Sequence, residues 1–167
     1  MSALASGKKA PQFELTATDG KKYSLSGALA HGPLLVVFFK VSCPTCQFTI
    51  PFVERLYQQF LAAGAPGIQV WGISQDDAQN TRHFAKEFGV TFPLLIDEAP
   101  YEISQEYHLT HVPTLFLIRG GGHIEISSDG FSKTDILEIR KSLAAKFAMK
   151  PAELFHPGEQ IPAYKPG

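Results

Sequence analysis

The stretch that decides the fold of this chain is Leu34-Leu35-Val36-Val37-Phe38-Phe39, followed after three residues by the motif Cys43-Pro44-Thr45-Cys46. A short run that is apolar on both faces is typical of a central strand covered on both sides, as in a parallel sheet. The residues from about 44 to 63 carry their apolar side chains on one stripe, which predicts a helix. The sequence therefore predicts a strand that leads through a CxxC motif into the first turn of a helix.

Further elements are predicted on both sides of this unit. An N-terminal hairpin with its turn at Asp19-Gly20 precedes it, and a strand at 68–74 follows it. Asp76 or Asp77 can cap the next helix, and Gly89 can end it. Strands at 93–96, 114–118 and 123–127, a short helix at 101–107 and a last helix opened by Ser132 and Asp135 complete the order. The pattern predicts an α/β fold in which parallel pairing gives way to an antiparallel hairpin.

The chain divides into a domain at 1–149 and a proline-rich tail at 150–167. The tail holds Pro151, Pro157, Pro162 and Pro166, so we expect it to be extended and irregular. Two arrangements are open for it. It packs on the domain through its apolar residues, Leu154, Phe155, Ile161 and Tyr164, or it is loose.

Composition excludes several classes of function. The net charge is −1, so there is no basic field to hold the phosphates of nucleic acid. No apolar run reaches the length of a membrane span. The first nine residues lack the apolar core of a secretory signal, which favours the cytoplasm. An exported protein whose leader has been removed is the alternative.

The two cysteines are the candidate catalytic residues. They are the only cysteines of the chain and lie three positions apart, so a bridge between them would close a loop too small to stabilise the fold much. A helix N-terminus has unpaired N–H groups and a partial positive charge, which stabilise a thiolate. We expect Cys43 to attack a disulfide and Cys46, one turn further in, to resolve the mixed disulfide. Pro44 suits the first helical turn. This chemistry needs no cofactor beyond the Cys43–Cys46 disulfide.

The other interpretation of the two thiols is a metal site on a binding module. A structural zinc ion takes four ligands, and the chain offers only one cysteine pair. His108 and His111 lack the usual spacing from it. We therefore expect no metal, and metal analysis of the purified protein tests this.

Several further motifs accompany the CxxC: Ala10-Pro11-x-Phe13-x-Leu15, Asp19-Gly20-Lys21, Pro51, Phe92-Pro93-Leu94-Leu95-Ile96-Asp97 and Val112-Pro113-Thr114-Leu115-Phe116-Leu117-Ile118. Together they resemble the thioredoxin superfamily, in the branch that holds TlpA/ResA-like reductases and AhpC/TSA peroxiredoxins. The resemblance extends over about residues 7–148. It implies a thioredoxin-like fold, with a central mixed sheet flanked by helices and an N-terminal hairpin extension.

The resemblance also implies the surroundings of the cysteines. It implies that Pro113 is cis and faces the CxxC, and that the backbone of Val112 pairs with a substrate chain. Pro44 and Thr45 are then expected to help position the substrate. The implied enzyme is a thiol–disulfide oxidoreductase whose partners are protein or small-molecule disulfides and a dithiol reductant.

Two departures from the family pattern bear on function. Val37 stands where many thioredoxins have a buried acid, which leaves Lys40 and His111 as the nearest titratable groups to assist. The alternatives are a solvent-facing strand end for Lys40 and an ordinary loop position for His111. In the peroxidase alternative Cys46 would attack peroxide, but Cys43 and Phe39 replace the threonine and proline of the peroxiredoxin motif. These replacements disfavour a peroxidase.

Overall fold

The protein is described here by a computed structural model that covers residues 2–167. Its strands are β1 (Glu14–Thr16), β2 (Lys22–Ser24), β3 (Leu34–Phe39), β4 (Val70–Ser74), β5 (Leu94–Ile96), β6 (Thr114–Ile118), β7 (Ile124–Asp129), β8 (Phe131–Ser132) and β9 (Tyr164–Lys165). Its helices are α1 (Leu25–Leu29), α2 (Pro44–Ala62), α3 (Ala78–Phe88), α4 (Glu102–Glu106) and α5 (Lys133–Lys146).

The central sheet has five strands in the order β5-β4-β3-β6-β7. The pairs β3–β4 and β4–β5 are parallel, whereas β3–β6 and β6–β7 are antiparallel. The predicted mixed sheet is therefore confirmed, with β3 at its centre. The strands β1 and β2 form the predicted N-terminal hairpin outside this sheet.

Both faces of β3 are covered, as its continuous apolar run predicts. Leu35, Val37 and Phe39 belong to a core that also contains apolar residues of α2, α3 and α5. Alternate residues of the strand point to a second core, which includes Phe13 and Tyr107. Every side chain of β3 is buried, so the strand provides a rigid base for the loop that follows it.

The predicted helix caps are present. Asp77 accepts a hydrogen bond from the Asn80 amide at 2.8 Å and begins α3. Gly89 ends that helix in the left-handed region, with φ at 69°. Ser132 accepts a hydrogen bond from the Asp135 amide at 3.2 Å and begins α5. These ends follow from local sequence, because each cap is satisfied within three or four residues.

The tail packs on the domain. Leu154 is fully buried in the core beside α2, and the rings of Phe155 and Phe52 meet edge to face with centroids 5.2 Å apart. Arg55 of α2 binds both carboxylate oxygens of Glu159, at 2.7 and 3.0 Å. Most of the tail lacks regular structure, as expected, but β9 pairs antiparallel with β8. The sequence did not predict this small second sheet.

Among residues 2–167, none of the helices has the length and apolar character needed to cross a bilayer.

Candidate active site

The two cysteines occupy the start of α2. Cys43 is the N-cap residue, and Pro44 follows in the first turn. The Cys43 sulfur accepts a hydrogen bond from the Cys46 amide at 3.1 Å. The backbone carbonyl of Cys43 accepts a second hydrogen bond, from the Gln47 amide at 3.0 Å. The nucleophile expected from the sequence is therefore also the group that satisfies an otherwise unpaired N–H of its own helix.

The two thiols differ in exposure. Cys43 is half-buried and reaches the surface, whereas Cys46 has no exposed area. Burial raises the pKa of the Cys46 thiol well above its ordinary value, and a hydrogen bond with the Cys43 side chain acts in the same direction. A backbone hydrogen bond with Lys40 partly opposes this rise in the pKa. Cys46 is therefore held in the neutral thiol form near neutral pH.

The loop at 111–113, which we call the cis-proline loop, faces Cys43. The Val112-Pro113 peptide bond is cis, as the family resemblance implied. The Cys43 sulfur lies 3.5 Å from the Val112 carbonyl oxygen. The structure thus brings Cys43 and Cys46 together with Val112 and Pro113. Cys43 and Val112 are 69 residues apart in the sequence.

An aspartate that the sequence suggested only as a cap or loop charge fixes the loop before Cys43. Asp76 accepts a hydrogen bond from the Val41 amide at 2.8 Å, and Gln47 donates to the Val41 carbonyl at 2.9 Å. Asp76 is itself held by a hydrogen bond between its amide and the Ser74 hydroxyl at 3.0 Å. These bonds tie the end of β4 to the end of β3. Val41 and Asp76 are 35 residues apart, so no local sequence pattern indicated the hydrogen bond between them.

A cavity of about 510 Å³ opens beside Cys43. It is lined by Lys40, Cys43, Pro44, Gln75, Tyr101, Ser104, Gln105, Leu109, Thr110, His111, Val112 and Gly167. Two of these lining residues are held by a chain of hydrogen bonds. Gln75 donates to the Ser104 hydroxyl at 2.8 Å, and that hydroxyl donates to the buried Asp97 carboxylate at 2.7 Å. Gln75 and Ser104 carry no sequence signal that marks them as site residues.

The two titratable candidates from the sequence, Lys40 and His111, both line this cavity. Lys40 is exposed, which agrees with a solvent-facing strand end. The His111 ring lies between Thr110 and Asp129, with Nδ1 2.9 Å from the threonine hydroxyl and Nε2 3.4 Å from the carboxylate. Val37, at the position of the acid found in many thioredoxins, is fully buried in β3.

Thr45 contacts the tail rather than open solvent. Its hydroxyl donates to the Pro166 carbonyl at 2.6 Å, and only 8% of the residue is exposed. We call residues 163–167 the strap. The sequence carries no signal for the position of the strap. The apolar residues of the tail predicted that it could pack on the domain, but not that it would reach the active site.

Within residues 2–167 no group of three or more His, Cys, Asp or Glu side chains is arranged to hold a metal ion.

The sequence matches the model of the AhpC/TSA family over residues 6–127, which includes the whole segment from β1 to the end of the cis-proline loop. The chain belongs to the AhpC/TSA family.

Proteins named for disulfide exchange are among the relatives and solved structures that the chain resembles, at low sequence identity. The thiol–disulfide oxidoreductase ResA of Geobacillus thermodenitrificans is 28% identical over 143 residues, which are 84% of this chain and 79% of that protein. A thiol:disulfide interchange protein of the thioredoxin family from Chlorobium tepidum has 25% identity and a TM-score of 0.66. That alignment covers 85% of this chain and 98% of the Chlorobium protein.

The same fold is found in a solved structure of a peroxidoxin. The peroxidoxin BcpB of Mycobacterium tuberculosis superposes with a TM-score of 0.72 at 21% identity, over 85% of this chain and 97% of that one. The thioredoxin-like fold of the AhpC/TSA protein is therefore confirmed, but the fold alone does not separate disulfide exchange from peroxide reduction. The exposure and the protonation of the two cysteines have to distinguish these two activities.

Proposed function

We propose that this protein is a thiol–disulfide oxidoreductase in which Cys43 attacks a substrate disulfide and Cys46 resolves the mixed disulfide. One observation carries the proposal. The Cys43 sulfur caps α2 beside an open cavity, while Cys46 lies one turn further in with no exposed surface. Only the first thiol can meet a substrate, and only the second can be reached from it within the protein.

The first step transfers a sulfur bond. The Cys43 thiolate attacks one sulfur of the substrate disulfide, a Cys43–substrate disulfide forms, and the other substrate half leaves as a thiolate that takes a proton. The Cys46 amide, 3.1 Å from the Cys43 sulfur, stabilises the attacking thiolate. Burial keeps Cys46 protonated during this step, because it raises the pKa of that thiol, so the two thiols do not compete for substrate.

The second step releases the product. Cys46 loses its proton and attacks the Cys43 sulfur, so that the Cys43–Cys46 disulfide forms and the second substrate half leaves as a thiol. The two electrons gained by the substrate come from the dithiol of the protein. A dithiol reductant must return two electrons and two protons before another turnover. No other redox group takes part in this cycle.

The surrounding residues position the substrate in this proposal. The Val112 carbonyl, 3.5 Å from the Cys43 sulfur, and the adjoining Pro113 place a substrate backbone or sulfur beside the nucleophile. Pro44 is exposed at the start of α2, whereas Thr45 is covered by the tail through its hydrogen bond to the Pro166 carbonyl. Lys40 and His111 line the cavity beside Cys43, where the positive charge of Lys40 favours a thiolate and the neutral form of the His111 imidazole can accept a proton.

Peroxide reduction by Cys46 is less well supported. A peroxidatic cysteine must present a thiolate to peroxide. Cys46 is fully buried, and burial raises the pKa of its thiol, so the thiolate is disfavoured and out of reach. The replacement of the peroxiredoxin threonine by Cys43 argues in the same direction.

Trapping of the intermediate tests the proposal. Reduced Cys46→Ser protein treated with bis(2-hydroxyethyl) disulfide should accumulate a mixed disulfide on Cys43, visible as one mercaptoethanol adduct by mass spectrometry. Reduced Cys43→Ser protein is the matched control and should form no adduct. An adduct on Cys46 of the control would reverse the assigned roles.

The rate of oxidation by hydrogen peroxide decides the peroxidase alternative. We expect the reduced wild-type protein to react as slowly as an ordinary free thiol. A rate orders of magnitude faster, lost in Cys46→Ser, would replace the oxidoreductase proposal by a peroxidase.

A further inference from the structure

The strap is held against the active site by several independent contacts. Its first residue, Ala163, accepts a hydrogen bond from the Lys133 amide at 2.9 Å. Tyr164 and Lys165 form β9, which pairs with Ser132 and Phe131 of β8. The Lys165 ammonium lies 5.0 Å from the centre of the Phe48 ring. These contacts fix the position of the strap across the start of α2.

The far part of the strap lies against the two elements that surround Cys43. The Thr45 hydroxyl donates to the Pro166 carbonyl at 2.6 Å, which covers the first turn of α2. Gly167 lies so close to the cis-proline loop that a β-carbon there would overlap the Val112 carbonyl and the His111 ring. The carbonyl in question is the one beside the Cys43 sulfur. A polypeptide approaching Cys43 along this side meets the strap first.

The other side of Cys43 is open. The cavity there has a volume of about 510 Å³, within the range of pockets that hold small molecules, and Gly167 forms part of its wall. Its lining combines apolar groups such as Leu109 with the polar side chains of Gln75 and Gln105. A small disulfide can reach the Cys43 sulfur through this cavity without displacing any part of the chain.

We propose that the strap determines the substrate class of this site: small disulfides react through the cavity, and folded protein disulfides react only when the strap has released its contacts with Thr45 and Val112. This inference rests on the proposed disulfide exchange and leaves its chemical steps unchanged. The residues of the strap itself are exposed or half-buried, so it can open without unfolding the core. The rate for a protein substrate is then the rate of the open form multiplied by the fraction of molecules in which the strap is open.

Two variants of the full chain test the proposal. The double variant Tyr164→Ala/Lys165→Ala removes the contact with Phe48 and the 3.3 Å hydrogen bond between Tyr164 and Asp129. Lys150→Ala is the control, since it removes one positive charge from an exposed residue of the same tail. Each reduced protein is mixed with bis(2-hydroxyethyl) disulfide or with insulin. The rate of oxidation is followed by quenching with an alkylating agent and mass spectrometry.

We expect the double variant to react with insulin about five- to tenfold faster than wild type, because the strap is open more often. Its rate with the small disulfide should stay within about twofold of wild type, and Lys150→Ala should match wild type with both substrates. Unchanged circular dichroism spectra show that the variants are folded, and Lys165→Ala alone provides a milder variant with a smaller shift in the same direction.

If the ratio of the insulin rate to the small-disulfide rate in the double variant equals that of wild type, the role of the strap is overturned, whether or not both rates rise. Disulfide exchange itself would stay intact. Failure of both disulfides to oxidise the wild-type protein is a different outcome. It would overturn the proposed function itself, and the substrate preference with it.

Discussion

The Cys43 sulfur lies between two regions that are held in place in very different ways. On one side, the start of α2 follows β3, and the cis-proline loop leads into β6. These two strands are buried, central and paired along most of their length. On the other side, the strap pairs with only two residues of β8 and is otherwise held by single hydrogen bonds from Lys133 and Thr45 and by its own exposed or half-buried side chains. The reacting groups thus belong to the part of the fold that is hardest to deform, and the control of access belongs to the part that is easiest to move.

The largest expected effect is on the rigid side. Cys43→Ser and Cys43→Ala should each lower disulfide exchange by at least about a thousandfold, because neither side chain supplies a thiolate near neutral pH. The two variants should differ in stability, since serine is a good N-cap and alanine is not. We expect Cys43→Ala to be less stable than Cys43→Ser by about 1 kcal/mol in urea unfolding. Equal stability would show that the cap at Cys43 contributes nothing to α2.

The pH dependence of stability sharpens the contrast between the two thiols. Burial raises the pKa of Cys46 in the folded protein above its ordinary value near 9.0. Above that pH the unfolded chain releases the Cys46 proton while the folded protein keeps it, so the free energy of unfolding falls as the pH rises. Below it, this group has no effect.

The size of this pH effect can be measured on reduced protein. Between pH 8 and pH 10 we expect Cys46 to account for about 1.4 kcal/mol of lost stability. Urea unfolding of wild type and Cys46→Ser at both pH values gives the two differences, and the variant should lose about 1.4 kcal/mol less. Parallel losses in the two proteins would contradict a buried thiol that stays protonated.

A pair of glycine substitutions examines the movable side. Gly130 and Gly89 have nearly the same positive φ, 63° and 69°, so the backbone strain of an alanine should cost about 1 kcal/mol of stability at either position. Only at Gly130 would the new methyl group meet the strap, at the Lys165 carbonyl. We expect Gly130→Ala to raise the ratio of insulin to small-disulfide rates about threefold, and Gly89→Ala to leave it unchanged. A shift of the same size in both variants would show that general destabilisation, and not the strap, is responsible.

The smallest expected effect concerns the anchor of the tail. Hydrogen bonds from Arg55 hold the pKa of Glu159 at about 2, so this pair remains charged down to strongly acidic pH. Glu159→Gln keeps the shape of the side chain and removes the charge. Because the pair lies upstream of the strap, we expect less than about a twofold rise in the rate with insulin. A larger rise than in the Tyr164→Ala/Lys165→Ala variant would place control of the strap at Arg55 and Glu159.

The sequence predicted the rigid side of the site well. The apolar run of β3, the CxxC motif and the stripe of α2 are adjacent in the chain, so their arrangement follows from local pattern. The caps at Asp77, Gly89 and Ser132 were predicted for the same reason. The cis bond before Pro113 was not derivable from local chemistry, and came from the resemblance to the thioredoxin superfamily.

The remaining parts of the site depend on contacts between distant residues. The bond from Val41 to Asp76 spans 35 positions, and the bond from Thr45 to Pro166 spans 121. Neither partner carries a sequence signal of its own, since an aspartate after a strand and a proline in a tail are both common. The apolar residues of the tail indicated packing but not its site. The assigned roles of Lys40 and His111 and the cytoplasmic location stay predictions.

The capping role of Cys43 has a consequence for energetics. The Cys43 sulfur is a thiol in the reduced protein and part of a disulfide in the oxidised protein. The hydrogen-bond acceptor at the start of α2 is therefore chemically different in the two redox forms. A thermodynamic cycle then links two quantities that are usually measured apart. The difference in folding free energy between the two redox forms equals the difference in reduction free energy between the folded protein and its unfolded chain. Urea unfolding of both forms would therefore measure, without any substrate, how strongly the fold biases this cysteine pair towards oxidation or reduction.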